Sequence, residues 1–189
     1  NRYSTKVVLV GKFSAGKSAL LNTLMGRYIL SEKQLAETAI ATELVFDSNE
    51  YIEFIDNDND VHRCEINGVP EKDIDNYKYC VYHLDSSYLN EHKEITLVDM
   101  PGFDSSVERH NKAILRYIDE ASAYLLLIDI EDGTIQQSAI DFMNEVKRYN
   151  SNLVIILTKC DKKIEEDVLS IKSEVAKMAA DIFCEDVPV

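Results

Sequence analysis

Basic charge is scarce in this chain. Its 189 residues carry 20 Lys and Arg against 34 Asp and Glu, a net charge of −14. Binding a phosphate backbone relies on clustered lysine and arginine, so a nucleic-acid-binding surface is excluded as the expected role, and an anionic membrane would repel the same surface. The four cysteines, Cys64, Cys80, Cys160 and Cys184, are far apart and form no CxxC pair, and the four histidines have no ligand-like spacing to them. Reduced thiols of a cytoplasmic protein are the expectation. No run approaches the roughly 20 apolar residues of a membrane span, and no signal peptide is visible. Repeats and low-complexity linkers are also missing. The sequence opens at Asn1 without a methionine and stops at DVPV, where a new strand would begin. It therefore reads as one domain, residues 1–189, cut from a longer polypeptide and long enough to bury a full core.

Four apolar runs are present: KVVLV (6–10), ITLVD (95–99), YLLLID (124–129) and LVIILT (153–158). None alternates with polar residues, as expected for strands of a parallel sheet buried on both faces. Helical spacing predicts three covering segments: Ile114, Leu115, Ile118 and Ala121; Ile135, Ala139, Phe142, Met143 and Val146; and Val168, Ile171, Val175, Met178 and Ile182. The expected fold is α/β, a doubly wound, mostly parallel sheet with helices on both faces. Residues 43–93 break the rhythm. ELVF, YIEFI, HRCEI and YCVYHL, separated by turn-rich segments, predict an antiparallel insertion with a short helix near 72–77. Asp56, Asp58 and Asp60 have the spacing of a calcium loop, but Val61 and Asn67 occupy the positions that would need Gly and Glu, so a solvated hairpin turn is the reading.

The chemistry starts right after the first run. GKFSAGKS fits G-x-x-x-x-G-K-[ST] at Gly11, Gly16, Lys17 and Ser18, between a buried strand and the helix-like SALLNTLMG. Backbone amides from Gly11, Lys12, Ser14, Ala15 and Gly16 through to Ala19 would cradle phosphates, with Lys17 on the β- and γ-phosphates and Ser18 on Mg²⁺. The fourth run ends in TKCD. The Asp161 carboxylate would accept both the N1–H and the N2 amine of guanine, while Lys159 would lay its stem along the base; Thr158, which opens the motif, is a further nucleotide-binding candidate. Adenine offers no such donor pair.

Together GKFSAGKS, DMPG (99–102) and TKCD, each after a buried strand and in this order, resemble the first, third and fourth motifs of the P-loop GTPase fold. Within it the sequence is most similar to the dynamin-like large GTPases, bacterial members especially. Ser14, the segment ETAIATELVF, the long insertion and DMPGFDS carry that likeness. It covers nearly the whole chain but is specific only in these motifs.

The resemblance implies GTP and GDP binding with Mg²⁺-dependent hydrolysis. Thr38 is then the switch threonine over Mg²⁺ and the γ-phosphate, with Thr42 the competing choice. Asp99 reaches Mg²⁺ through water, and the Gly102 amide senses the γ-phosphate. Ser14 helps hold a monovalent cation, K⁺ or Na⁺. Phe103 stands where small GTPases keep a water-positioning glutamine, which leaves Thr38 and the backbone of residues 103–106 to hold the water. The Lys12 ammonium either bonds near the γ-phosphate or is simply solvated. The resemblance further implies homodimerisation through the nucleotide face, membrane remodelling through regions outside this chain, and a fifth motif beyond VPV. The competing expectation is a translation- or assembly-type GTPase switch with slow turnover.

Overall fold

The computed structural model describes residues 4–30, 40–66, 68, 76–102, 117, 120–133, 135–149 and 152–189. Eight strands form one sheet: β1 (Thr5–Gly11), β2 (Ala41–Phe46), β3 (Tyr51–Asp56), β4 (Val61–Cys64), β5 (Tyr77–Leu84), β6 (Ile95–Asp99), β7 (Ala121–Asp129) and β8 (Asn152–Thr158). Their spatial order is β4-β3-β5-β2-β6-β1-β7-β8. The four apolar runs occupy neighbouring places in that order. β1 pairs parallel with β6 and β7, and β7 pairs parallel with β8.

Alternation along the buried strands feeds two separate cores. Val8, Val10, Val98, Leu126 and Ile128 point to the face covered by α3 (Gln137–Arg148) and α4 (Glu165–Phe183), where Phe142, Met143, Val146, Val175 and Ala179 complete the cluster. Leu9, Leu97 and Leu127 point the other way. They meet Leu21 and Met25 of α1 (Lys17–Met25) and Leu89 of α2 (Ser87–Glu91). Strands buried on both faces have no polar side to alternate with, which is why the runs read as continuous.

The insertion is less uniform than its sequence suggests. β3 pairs antiparallel with β4 and β5, and β2 antiparallel with β6, yet β2 runs parallel to β5 over Ala41–Phe46. Turn residues identify where strands end but do not select the neighbour. Asp56 accepts hydrogen bonds from the amides of Asp58 (3.0 Å) and Asp60 (2.9 Å) and contacts His62 at 2.8 Å, the self-contained turn expected of DNDND. Of the helix expected near 72–77, residues 72–75 lie outside the described residues, and Tyr77 opens β5. Ala121, grouped with a helical face, instead begins β7; Ile114, Leu115 and Ile118 lie outside the described residues. Three residues of helical spacing before a strand cannot mark where the period changes from 3.6 to 2. Ile135 sits just ahead of α3 and is buried there. The four cysteines are free thiols.

One buried polar cluster ties the insertion to the main sheet. Glu43, 7% exposed, accepts from the Tyr117 hydroxyl at 2.7 Å and from Lys6 Nζ at 2.9 Å, and Lys6 also reaches Glu120 at 2.7 Å. A buried carboxylate needs such partners, since its desolvation is otherwise uncompensated.

Candidate nucleotide site

Strands β6, β1, β7 and β8 end on one edge, in registers that place Leu9 beside Asp99, Gly11 beside Leu127, and Asp129 beside Thr158. In open α/β sheets, ligands bind outside the carboxyl ends of the strands, where the chain winds away in both directions. Here that point is β1, with β6 on one side and β7 on the other.

The loop from Gly11 to Ser18 contains three residues with positive φ, Gly11 (154°), Ser14 and Gly16. Gly16 has φ 89° and opens α1, a conformation only glycine adopts without strain. Ser14 adopts φ 63° despite its side chain, a strained backbone of the kind held in place at functional sites. No side chain caps α1 and its first turn has no acidic residue, so the helix start presents backbone amides and the positive end of its dipole to the cleft. Lys17 is 7% exposed, and its Nζ donates to the carbonyls of Gly11 (3.0 Å) and Lys12 (2.9 Å). The ammonium is thus folded back over the loop, in the wall of the cleft.

DMPG closes the cleft from the β6 side. The Met100 amide donates to the Leu9 carbonyl at 3.2 Å, and Gly102 lies over the phosphate loop so closely that a Cβ there would sit 2.5 Å from the Phe13 nitrogen. Turn chemistry after Pro101 is therefore only part of the reason for a glycine; close approach of two backbones is the rest. Phe13, Ser14, Gly16, Lys17, Ser18 and Asp99–Gly102 line one cleft.

At the foot of the cleft the Ser18 hydroxyl donates to Asp99 Oδ2 at 2.9 Å. Asp99 is 2% exposed, and among the described residues its Oδ1 has no hydrogen-bond partner. Burial raises its carboxyl to about 6 from an ordinary 3.8, against the opposing pull of Lys17 and the Ser18 hydrogen bond. A buried carboxylate with one oxygen unused, beside a hydroxyl, is a donor set that suits a hard divalent cation such as Mg²⁺.

This shift has a measurable sign. The native carboxyl holds a proton that the unfolded chain releases between pH 3.8 and about 6. Its contribution to stability is full below that window and is lost as pH rises through it. In metal- and nucleotide-free protein, Asp99→Asn should gain stability relative to the native residue by up to about 3 kcal/mol between pH 4 and pH 7. Urea midpoints of both forms at the two pH values check this; a difference independent of pH would mean that Asp99 titrates normally.

The TKCD residues stand on the same edge. Thr158 donates to the Ile128 carbonyl at 3.2 Å and abuts Gly16, whose Cβ position lies 3.8 Å from Thr158 Cγ2. Lys159 has a left-handed φ of 56°, and a short 3₁₀ turn, Cys160–Lys162, carries Asp161 exposed to solvent. Ala15 is buried and Ala19 exposed on the first turn of α1. Thr42 lies inside β2, buried, with its hydroxyl 3.3 Å from Cys80 Sγ. Thr38, Phe103 and residues 104–106 lie outside the described residues.

Lys12 does not line the phosphate cleft. Its Nζ bonds to Asp132 Oδ1 at 3.0 Å, and it borders a neighbouring crevice with Asp129, Asp132 and Gln136. No motif in the sequence marks Asp129 or Asp132 as part of the site. Asp129 was visible only as the end of YLLLID, and nothing in that run marks its carboxylate as facing Lys159, whose Nζ lies 2.5 Å away.

A strand leading into a glycine-rich loop and an uncapped helix start, with a buried Asp-Ser pair beneath and an Asp-bearing turn beside it, defines a P-loop nucleotide-binding domain. The sequence model described as the dynamin family matches residues 7–160, and the chain belongs to that family, as its GTPase domain. Among curated proteins it is similar to a probable transmembrane GTPase FZO-like protein of the chloroplast of Arabidopsis thaliana, 24% identical over 177 residues that make up 91% of this chain and 17% of the relative. It is also similar to GTPase Der of Buchnera aphidicola, 24% identical over 82% of this chain and 26% of that protein. Among solved structures, a member of an oligomerised bacterial dynamin pair, linked to sensing and tethering of membranes, superposes with a TM-score of 0.66 at 21% identity, covering 91% of this chain and 28% of that one. Era of Aquifex aeolicus bound to GDP and AlF4⁻ gives a TM-score of 0.57 at 21% identity, covering 99% of this chain and 51% of Era. The chain thus spans 17% and 26% of the length of these two curated GTPases. Among the described residues no helix is long and apolar enough to cross a membrane.

Proposed function

We propose that this domain binds GTP and hydrolyses it to GDP and phosphate in a Mg²⁺-dependent reaction, and that the longer protein uses this turnover at a membrane. The convergence of GKFSAGKS, DMPG and TKCD on one sheet edge, around a helix start that no side chain caps, supports this reading best. In it, the amides from Ser14 to Ala19 hold the α- and β-phosphates, Lys17 turns from the loop carbonyls to the β- and γ-phosphates, and Asp161 reads the guanine edge. Ser18, Asp99 and Thr38 would hold Mg²⁺. The ion supplies charge neutralisation on the transferring phosphoryl group when bound. The Gly102 amide would contact the γ-phosphate from the DMPG side of the cleft.

With Phe103 in place of a water-positioning glutamine, Thr38 and the backbone of residues 103–106 hold the attacking water, while Ser14 with a monovalent cation supplies positive charge in a homodimer joined across the nucleotide face. The membrane role is supported by the bacterial dynamin likeness and belongs to regions outside this chain. The second reading, a slow switch of the translation or assembly kind, draws on the overlap with Era and Der. Turnover of the full-length protein separates the two. Specific activity that rises with protein concentration and requires K⁺ or Na⁺ supports the dynamin-like reading, while flat, very slow turnover in either salt favours the switch.

A further inference from the structure

The turn after β7, Asp129–Asp132, touches both halves of the nucleotide site with two carboxylates. Asp132 holds Lys12 of the phosphate loop at 3.0 Å, and Asp129 Oδ2 holds Lys159 Nζ at 2.5 Å. The second pair is the more consequential. Lys159 begins the turn that carries Asp161, its carbonyl accepts from the Lys162 amide at 2.9 Å, and its backbone is in the left-handed region, where a lysine stays only if its surroundings hold it. Asp129 is itself fixed, because its Oδ1 accepts from the Glu131 amide at 3.0 Å. Its side chain is 13% exposed against 35% for that of Lys159, so the pair is screened less than an open surface bridge.

We infer that Asp129 is a positioning residue for base recognition, which tethers the Lys159 ammonium and so fixes the turn that presents Asp161 to the guanine edge. The inference rests on the guanine-nucleotide reading of the site. Lys159 then has two separable parts: a stem that lies along the base, and an ammonium whose partner is the protein. Neighbouring charges agree with this. The Lys159 ammonium holds the Asp129 carboxyl below its ordinary range although burial opposes it, and the hydrogen bond to Asp129 pushes Lys159 up.

Two substitutions isolate the tether. Asp129→Asn keeps an oxygen for the Glu131 amide while removing the charge, and Lys159→Met keeps an apolar stem while removing the ammonium. The readout is the ratio of GTP to ITP affinity in the full-length protein. ITP lacks the exocyclic N2 amine that Asp161 would accept from, so the ratio reports the placement of that carboxylate rather than general binding. Each variant should lower the ratio by about tenfold, and the double variant should lower it no further, since contacting residues couple by this order. An unchanged ratio in Asp129→Asn, or losses that multiply in the double variant, overturns the inference. Should Asp129→Asn fail to fold, Lys159→Met decides alone, and a native ratio there refutes the tether. Native protein with no affinity for guanine nucleotides would instead overturn the functional reading itself.

Discussion

Replacing Lys17 by alanine is expected to weaken GTP binding at least about 100-fold and to abolish turnover, because charge-assisted hydrogen bonds contribute about 1.5–3 kcal/mol each and this ammonium is placed to make more than one to phosphate. The structure adds a reason beyond the motif. Lys17 is buried, and its Nζ spans the carbonyls of Gly11 and Lys12, so it also holds the loop in shape before any phosphate arrives. The variant therefore loses both the ligand contact and part of the preformed cradle. Titration with a fluorescent GTP analogue measures the effect, and an unchanged circular dichroism spectrum shows that the fold is intact. Binding within about threefold of native would remove the loop from the site.

Asp161→Asn should exchange one base for another. A carboxylate accepts from two donors on guanine, whereas an asparagine amide offers one acceptor and one donor, which matches the N1–H and the O2 carbonyl of xanthine. The GTP to XTP preference should move toward xanthine by roughly 100-fold or more, since sites built on buried hydrogen bonds discriminate strongly against an unmatched partner. Asp161 is solvent-exposed in the described state, on a turn fixed by Lys159 and Asp129, so the substitution costs the fold little. An unchanged base preference would mean that another group reads the guanine.

Much of the fold was legible because burial on two faces leaves a strong trace. Four unbroken apolar runs located the parallel strands, and the covering helices α3 and α4 followed from period 3.6. Legibility failed where local pattern is silent about neighbours. The parallel pairing of β2 with β5 joins residues 38 positions apart, such as Ala41 with Tyr79, and no turn signal encodes it. Ala121 read as helical because a single alanine is compatible with either period; its place at the start of β7 was set by pairing with Lys6.

For the site, the sequence alone determined the residue types and their order along the chain: the glycine-rich loop GKFSAGKS, an Asp-bearing DMPG and an Asp-bearing TKCD. These are local, since amide cradles and turn chemistry depend on a few consecutive residues. Only the tertiary structure decided which charges meet. It brought Ser18 to Asp99 across 81 positions and buried that carboxylate, set Gly102 on the backbone of Phe13, took Lys12 to Asp132, and gave Lys159 to Asp129. A side chain's ionisation and partners depend on what the sheet order places beside it, and sheet order is a property of the whole chain.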